Sequence, residues 1–354
     1  MSEAIEWLLE NAGPTIRFRT LVDLVNEQDV GLVSHALDEM IGSPSVQEWL
    51  SRLKPDFEFD AIHSAESDAY ENVMGKLVML GMRAGLQPFD NKTLSFRVWL
   101  TENTPSTAPH TIFYQTIIAA FLSYAGYGDT SPVANALRGR LAALYSFARQ
   151  PDFSSIYVDK SLYNGIPKTP SYQEAGLVNP ELHPDKQFVL PWLHDIRGIA
   201  FCGRIMNDAT LRRRAEEVVK MILLEEYQSL PMGYGMGRYG ERYYMIGWSM
   251  KLPGFQTEPE GKDCGSMILN LEMLARYDSA RESEWFVRCL EFLEGFRTDS
   301  GTYLFPQTWL PEKKTGYWVG ANRMGLGENR RSKTAIECES TFWMLWIKHL
   351  ANLL

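Results

Sequence analysis

From about Glu66 onward, polar or turn-forming stretches alternate with apolar runs rich in small residues, one run starting roughly every 50 residues. The runs read SAESDAYENVMGKLVMLGM (64–82), HTIFYQTIIAAFLSYAGY (110–127), FVLPWLHDIRGIAFCGRI (188–205), ERYYMIGWSM (241–250), DCGSMILNLEMLARY (263–277) and TAIECESTFWMLWIKHL (334–350). They are apolar on most faces, with Gly and Ala interspersed, as helices buried on both sides must be. SPVANALRGRLAALYSFAR (131–149) and ATLRRRAEEVVKMILLEEY (209–227) instead keep Arg and Glu on one side, the pattern of helices buried on one face. Inner helices backed by amphipathic outer ones predict an all-α fold, an (α/α)6 barrel or toroid, with residues 1–354 forming one domain.

Residues 1–60 read as N-terminal outer helices, with Pro14 suited to a first helical turn and the Gly42, Ser43, Pro44 cluster separating two segments. Two connections, 150–186 and 299–333, are too long for turns. Their Tyr and Trp content predicts ordered loops covering the barrel mouth. Strand signals are scarce, and GTYLF (301–305) is the one short β piece expected.

Composition narrows the partners. A net charge of −9 gives no attraction to phosphate backbones or anionic lipid, which argues against nucleic acid. Ten Trp, 16 Tyr and 17 Phe are a generous aromatic supply for a core or a cavity wall. Cys202, Cys264, Cys289 and Cys338 lie far apart, three of them in apolar helical text, so no disulfide framework is implied. The acidic start is not a secretory signal, and no window is apolar for the length of a spanning helix, which predicts a cytoplasmic protein, with peripheral membrane contact left open through STFWMLWIKHLANLL.

The phrases WLLENAGPTIRFRTLVDLV, LVMLGMRAG and ECESTFWMLWIKHL resemble bacterial proteins related to squalene-hopene cyclases and the β subunits of protein prenyltransferases. The resemblance spans essentially the whole chain and implies the (α/α)6 toroid of that terpenoid cyclase and prenyltransferase superfamily. It also implies a hydrophobic, isoprenoid- or lipid-like small molecule in an aromatic-lined central cavity, handled by a transferase, isomerase or lyase if the protein is an enzyme. The superfamily's reactive motifs are missing. No DxDD acid segment is present, and RTDSGTYLF (297–305) lacks the Gln and Trp of the QxxxGxW repeat. Asp263 and Cys264 are adjacent rather than two apart, and Glu339 or Ser340 stands where the family's zinc-binding His would be. Neither zinc nor any other cofactor is expected.

In such a barrel the inner-helix N-termini share one end, so their first turns supply the candidate site. They offer His63, Glu66 and Tyr70, then His110 and Tyr114, then Trp192, His194 and Asp195. The later runs add Tyr243, Tyr244 and Trp248, Asp263 and Cys264, and Glu337 and Glu339. Asp195 lies within apolar text, where an ionised carboxylate is costly unless paired, with His194, Arg197 or a neighbouring helix as partner. Asp195, Glu339 and His194 are the acid or base candidates, and the aromatic residues are walls. Arg330 and Arg331 suit a phosphate or carboxylate, though a solvated loop explains them equally well, and Glu337 and Glu339 beside them also read as a salt-bridged helix start. Asp263 and His110 have a simpler reading as helix caps.

GMGRYG (235–240) satisfies GxGxxG, but a dinucleotide fingerprint follows a strand in a βαβ unit, and this one follows a helix and Pro231. HExxH, GxSxG, Walker and paired CxxC sequences are missing, which argues against zincins, elbow hydrolases and P-loop enzymes. Two further readings compete with the lipid-binding one. A carbohydrate-active (α/α)6 enzyme needs two carboxylates about 5 to 9.5 Å apart, and a scaffold toroid needs no chemistry.

Overall fold

Helices begin where the sequence supplies an acceptor for the unpaired N–H groups of a first turn. Asp29 accepts from Gly31 and Leu32 N–H at 2.8 and 3.0 Å and starts Val30–Gly42, while Ser43, followed by Pro44, starts Pro44–Arg52. Asp208 does the same for Ala209–Ile222, bonding Thr210 and Leu211 N–H at 2.9 Å. The computed structural model describes residues 3–55, 61–104, 109–184, 187–261 and 263–354, with backbone alone at 109 and 110. Among them the chain is mostly helical, with seventeen α-helices and a four-stranded sheet. No described helix is long and apolar enough to cross a membrane.

The chain divides into two compact units. The first comprises residues 1–97, 124–126 and 253–354. Within it Ala335–Leu350 packs on Glu3–Asn11 and Asp263–Leu274, and Tyr70–Met79 packs on Pro44–Arg52 and the turn Trp318–Gly320. Nine of the ten residues of Tyr70–Met79 are buried, the all-round burial its apolar text demands. Gly75 makes that packing feasible, because a Cβ there would lie 2.3 Å from Cδ2 of the fully buried Trp318. Trp318 belongs to the 299–333 connection, which is ordered and carries two short 3-10 turns. The GTYLF stretch forms a single bridge, Arg297 with Tyr303.

The second unit comprises residues 98–123 and 127–252. Pro109–Leu122, Ser131–Ala148 and Leu193–Ala200 pack on one another, and Ala209–Ile222 packs on Ser131–Ala148. All eight residues of Leu193–Ala200 are buried, whereas Ser131–Ala148 buries a stripe including Val133, Leu137, Leu141 and Leu144. A small sheet completes the unit: β1 (Tyr157–Val158) runs antiparallel to β2 (Leu177–Val178), β2 parallel to β3 (Gly235–Tyr239), and β3 antiparallel to β4 (Arg242–Ile246). The 150–186 connection supplies β1 and β2.

One expected inner helix is a strand. The run 241–250 holds β4, joined to β3 by the two-residue turn Gly240–Glu241 with Gly240 at φ +61°. Arg-Tyr-Tyr-Met-Ile favours a pleated, half-buried surface, and the Tyr239 to Arg242 pairing closes a hairpin that glycine at positive φ permits. GMGRYG is accordingly a hairpin strand and its turn. The other five apolar runs each contain an α-helix: Tyr70–Met79, Pro109–Leu122, Leu193–Ala200, Asp263–Leu274 and Ala335–Leu350.

Candidate functional site

A cavity of about 960 Å³ lies within the second unit. Ile112, Phe113 and Tyr114 of Pro109–Leu122 form one wall, the hairpin residues 239–247 another, and Phe188 and Trp192 a third. Among the described residues the charged side chains of this lining are Glu241 and Arg242, both exposed at the hairpin turn. The interior is apolar and aromatic, the composition of a small-molecule site.

The walls are held from behind. Trp192 precedes the first turn of Leu193–Ala200, and its N–H donates to Asp195 Oδ2 at 3.0 Å. Arg140 donates from Nε and Nη2 to the two oxygens of Asp195 at 2.8 and 2.9 Å, and from Nη1 to the Phe188 carbonyl at 2.8 Å. The same guanidinium lies 4.5 Å from the Trp192 ring centroid. Phe113 meets Trp192 edge-on at 5.0 Å, and Phe188 lies 5.6 Å from Trp192.

At the hairpin, Gly237 pairs with Tyr244, and its missing side chain lets the Tyr244 ring lie across it: a Cβ would sit 2.6 Å from Cζ. The Tyr244 hydroxyl is 2.9 Å from His183 Nε2, and the His183 ring stacks on Phe188 at 4.9 Å. Burial, helped by the Arg140 charge, pushes His183 down to about 4, and burial pushes the Tyr244 phenol up to about 12. Both groups are neutral near pH 7, so they add hydrogen-bonding capacity without charge. Tyr243 instead donates to the Asn164 carbonyl at 2.8 Å.

Of the residues singled out from sequence, Tyr114, Trp192, Tyr243 and Tyr244 share this lining. Asp195 is fully buried behind Trp192 and both its oxygens are taken by Arg140 and the Trp192 N–H, so here it positions the wall. His194 is buried with Phe113 and Phe121 edge-on at 5.7 and 6.2 Å and Trp248 at 6.4 Å. Trp248 has a positive φ of +62°, and its carbonyl accepts from Leu193 N–H at 2.8 Å. His110 opens Pro109–Leu122, and its side chain lies outside the described residues.

The remaining candidates belong to the first unit. Tyr70 is a core residue packed on Phe96 at 4.3 Å, and Glu66 is exposed. Asp263 begins Asp263–Leu274, while burial pushes the neighbouring Cys264 thiol up to about 11, away from nucleophilic reactivity. Glu339 is fully buried, pairs with Arg330 and accepts from Leu326 N–H at 2.8 Å, and Arg331 is exposed. Glu337 accepts from the Thr302 hydroxyl.

Arg140, Phe113, Phe188 and His183 were missed. Arg140 sits in amphipathic text where a basic residue reads as solvated, and His183 in a Pro-rich connection with no periodicity to place it. Also in the first unit, the candidate His63 has Nδ1 2.6 Å from a carboxylate oxygen of the buried Glu71, a partner the sequence did not mark.

No family model matches this chain, and no match appears among curated proteins or solved structures.

Proposed function

We propose that the protein binds a hydrophobic, isoprenoid- or other lipid-like small molecule in the cavity of its second unit. The observation that carries this reading is the lining: Phe113, Phe188, Trp192, Met245 and Ile246 surround about 960 Å³, with charge among the described residues confined to Glu241 and Arg242 at the exposed turn. Burying an apolar ligand there gains about 25 cal/mol per Å² of apolar surface removed from water. Paired carboxylates, which carbohydrate cleavage needs, are not supported here, since among the described residues Glu241 is the one carboxylate of this lining.

The same reading relates the chain to the terpenoid cyclase and prenyltransferase superfamily and its toroid. It is supported by the helical state of five of the six apolar runs and by the all-round burial of Tyr70–Met79 and Leu193–Ala200. The cavity walls supply shape, and the Tyr244 hydroxyl, held beside His183, supplies a hydrogen-bonding group.

The test is titration with an apolar fluorescent probe, with native mass spectrometry of the purified protein for a copurified lipid. Trp192→Ala should weaken the probe by about tenfold or more, since truncating a buried aromatic anchor costs about 2 kcal/mol or more. Absence of probe binding, or equal binding by Trp192→Ala, would reject the reading.

A further inference from the structure

A separate cavity of about 250 Å³ opens within the first unit, and its wall is charged where the other is apolar. It lies between the helices Pro44–Arg52, Tyr70–Met79 and Ala335–Leu350 and the 312–330 segment. Five cationic side chains and four carboxylates line it. Three ion pairs account for six of these groups: Arg52 with Glu48, Lys76 with Glu312, and Arg330 with Glu339. Lys313 and Lys314 are exposed and make no ion pair among the described residues.

Buried Lys76 and Glu339 and the more exposed Glu312 converge on the turn at Gly325 and Leu326. Lys76, 2% exposed, donates to the Gly325 carbonyl and to Glu312, while Glu312 accepts from the Gly325 N–H at 2.6 Å. Glu339 accepts from the next N–H, that of Leu326, at 2.8 Å. A Cβ on Gly325 would lie 2.8 Å from both Arg330 Nη2 and Glu312 Oε1, so glycine is what lets these groups close on the same turn. Burying a lysine and a glutamate costs several kcal/mol each before pairing, and apolar residues would hold these helices together at least as well. Charges retained beside open space are better explained by something that enters the space.

The donors that remain set the ligand's sign. Arg330 Nη2 donates to the Leu310 carbonyl at 2.9 Å and faces Glu339, and among the described residues no partner takes its Nε–H or Nη1 hydrogens. Glu339 Oε2 lies at the wall and accepts no well-formed hydrogen bond, although Arg330 is beside it. Burial pushes Glu339 up to about 7 and raises Glu328 as well, which tips the wall toward positive charge. When protonated, Glu339 offers an O–H to the cavity while its other oxygen still accepts from Leu326 N–H.

We propose that this cavity binds a small oxyanion, a carboxylate or phosphate group, gripped by Arg330 and Lys76 and drawn in by Lys313 and Lys314 at its rim. A guanidinium fork and an ammonium are the pair of donors that such a group fits.

Isothermal titration of the full-length chain with inorganic phosphate, and separately with succinate, tests it. One-site binding of either anion is expected, and the preferred one identifies the group. The exposed double substitution Lys313→Glu, Lys314→Glu and the wall substitution Arg330→Gln should each weaken it by about tenfold or more. Circular dichroism verifies that the variants fold; should Arg330→Gln not fold, the rim variant decides alone. No binding of either anion at millimolar concentration, or binding indifferent to the folded variants, overturns the proposal.

Discussion

Arg140 meets Asp195 edge to edge, with Nε on Oδ1 at 2.8 Å and Nη2 on Oδ2 at 2.9 Å, while its guanidinium lies 4.5 Å from the Trp192 ring centroid. The pair is buried, at 4% side-chain exposure for Arg140 and none for Asp195. One ion pair thus fixes both residues of one wall of the apolar cavity, Trp192 through its N–H and ring and Phe188 through its carbonyl. A buried pair of this kind contributes more to geometry than to net stability, but losing one partner strands the other charge.

Asp195→Ala is therefore expected to lower stability by about 3–5 kcal/mol in urea unfolding, because Arg140 is left buried and uncompensated. A double variant, Asp195→Leu with Arg140→Met, should recover most of that loss yet still bind the apolar probe more weakly. A single-variant loss below about 1 kcal/mol would mean that the pair is solvated in solution.

Gly237→Ala tests the hairpin wall. The added methyl would stand 2.6 Å from Tyr244 Cζ and 2.8 Å from its hydroxyl, so the ring must swing off β3 and release His183. The expected cost is about 1–3 kcal/mol, together with an upward move of the His183 titration, read by NMR, from about 4 toward its ordinary value of 6.5 as burial is relieved. Unchanged probe affinity and an unmoved His183 titration would show that Tyr244 does not depend on the glycine.

Glu339 gives stability a pH dependence. It faces Arg330, Lys76 and Glu312, and burial outweighs those cations to push its carboxyl up to about 7 from an ordinary 4.5. Between these values the folded chain holds a proton that the unfolded chain has lost, so this group's contribution falls as pH rises from 4.5 to about 7 and is level beyond. The slope is at most about 1.4 kcal/mol per pH unit. His183, pushed down to about 4, works in the opposite sense between 4 and 6.5, so the informative quantity is the difference between wild type and Glu339→Gln. Urea unfolding across this range should show the falling component in wild type alone. Parallel profiles would mean that Glu339 titrates normally.

Much of the helical text was legible because the forces that start and stop a helix act over a few neighbours. Asp29, Ser43 and Asp208 cap within three residues of themselves, and the stripe of Ser131–Ala148 is visible as spacing. The run 241–250 misled because a short apolar stretch has no period long enough to tell strand from helix. Its state was decided by β3, whose Met236 also joins the hairpin to Leu177 of β2.

Among the candidate site residues, Tyr114, Trp192, Tyr243 and Tyr244 were accessible to a reading of aromatic content at segment starts. Their division of labour was not, since Tyr243 reaches Asn164 and Tyr244 reaches His183. The amino-acid order alone determined where most helices form and that the chain carries aromatic residues enough for an apolar cavity. Tertiary structure alone decided that Asp195 faces Arg140, 55 positions away, and that Glu339 sits in a charged wall with Lys76. Burial and ion pairing depend on what distant segments bring within a few ångströms, and no local period encodes that distance.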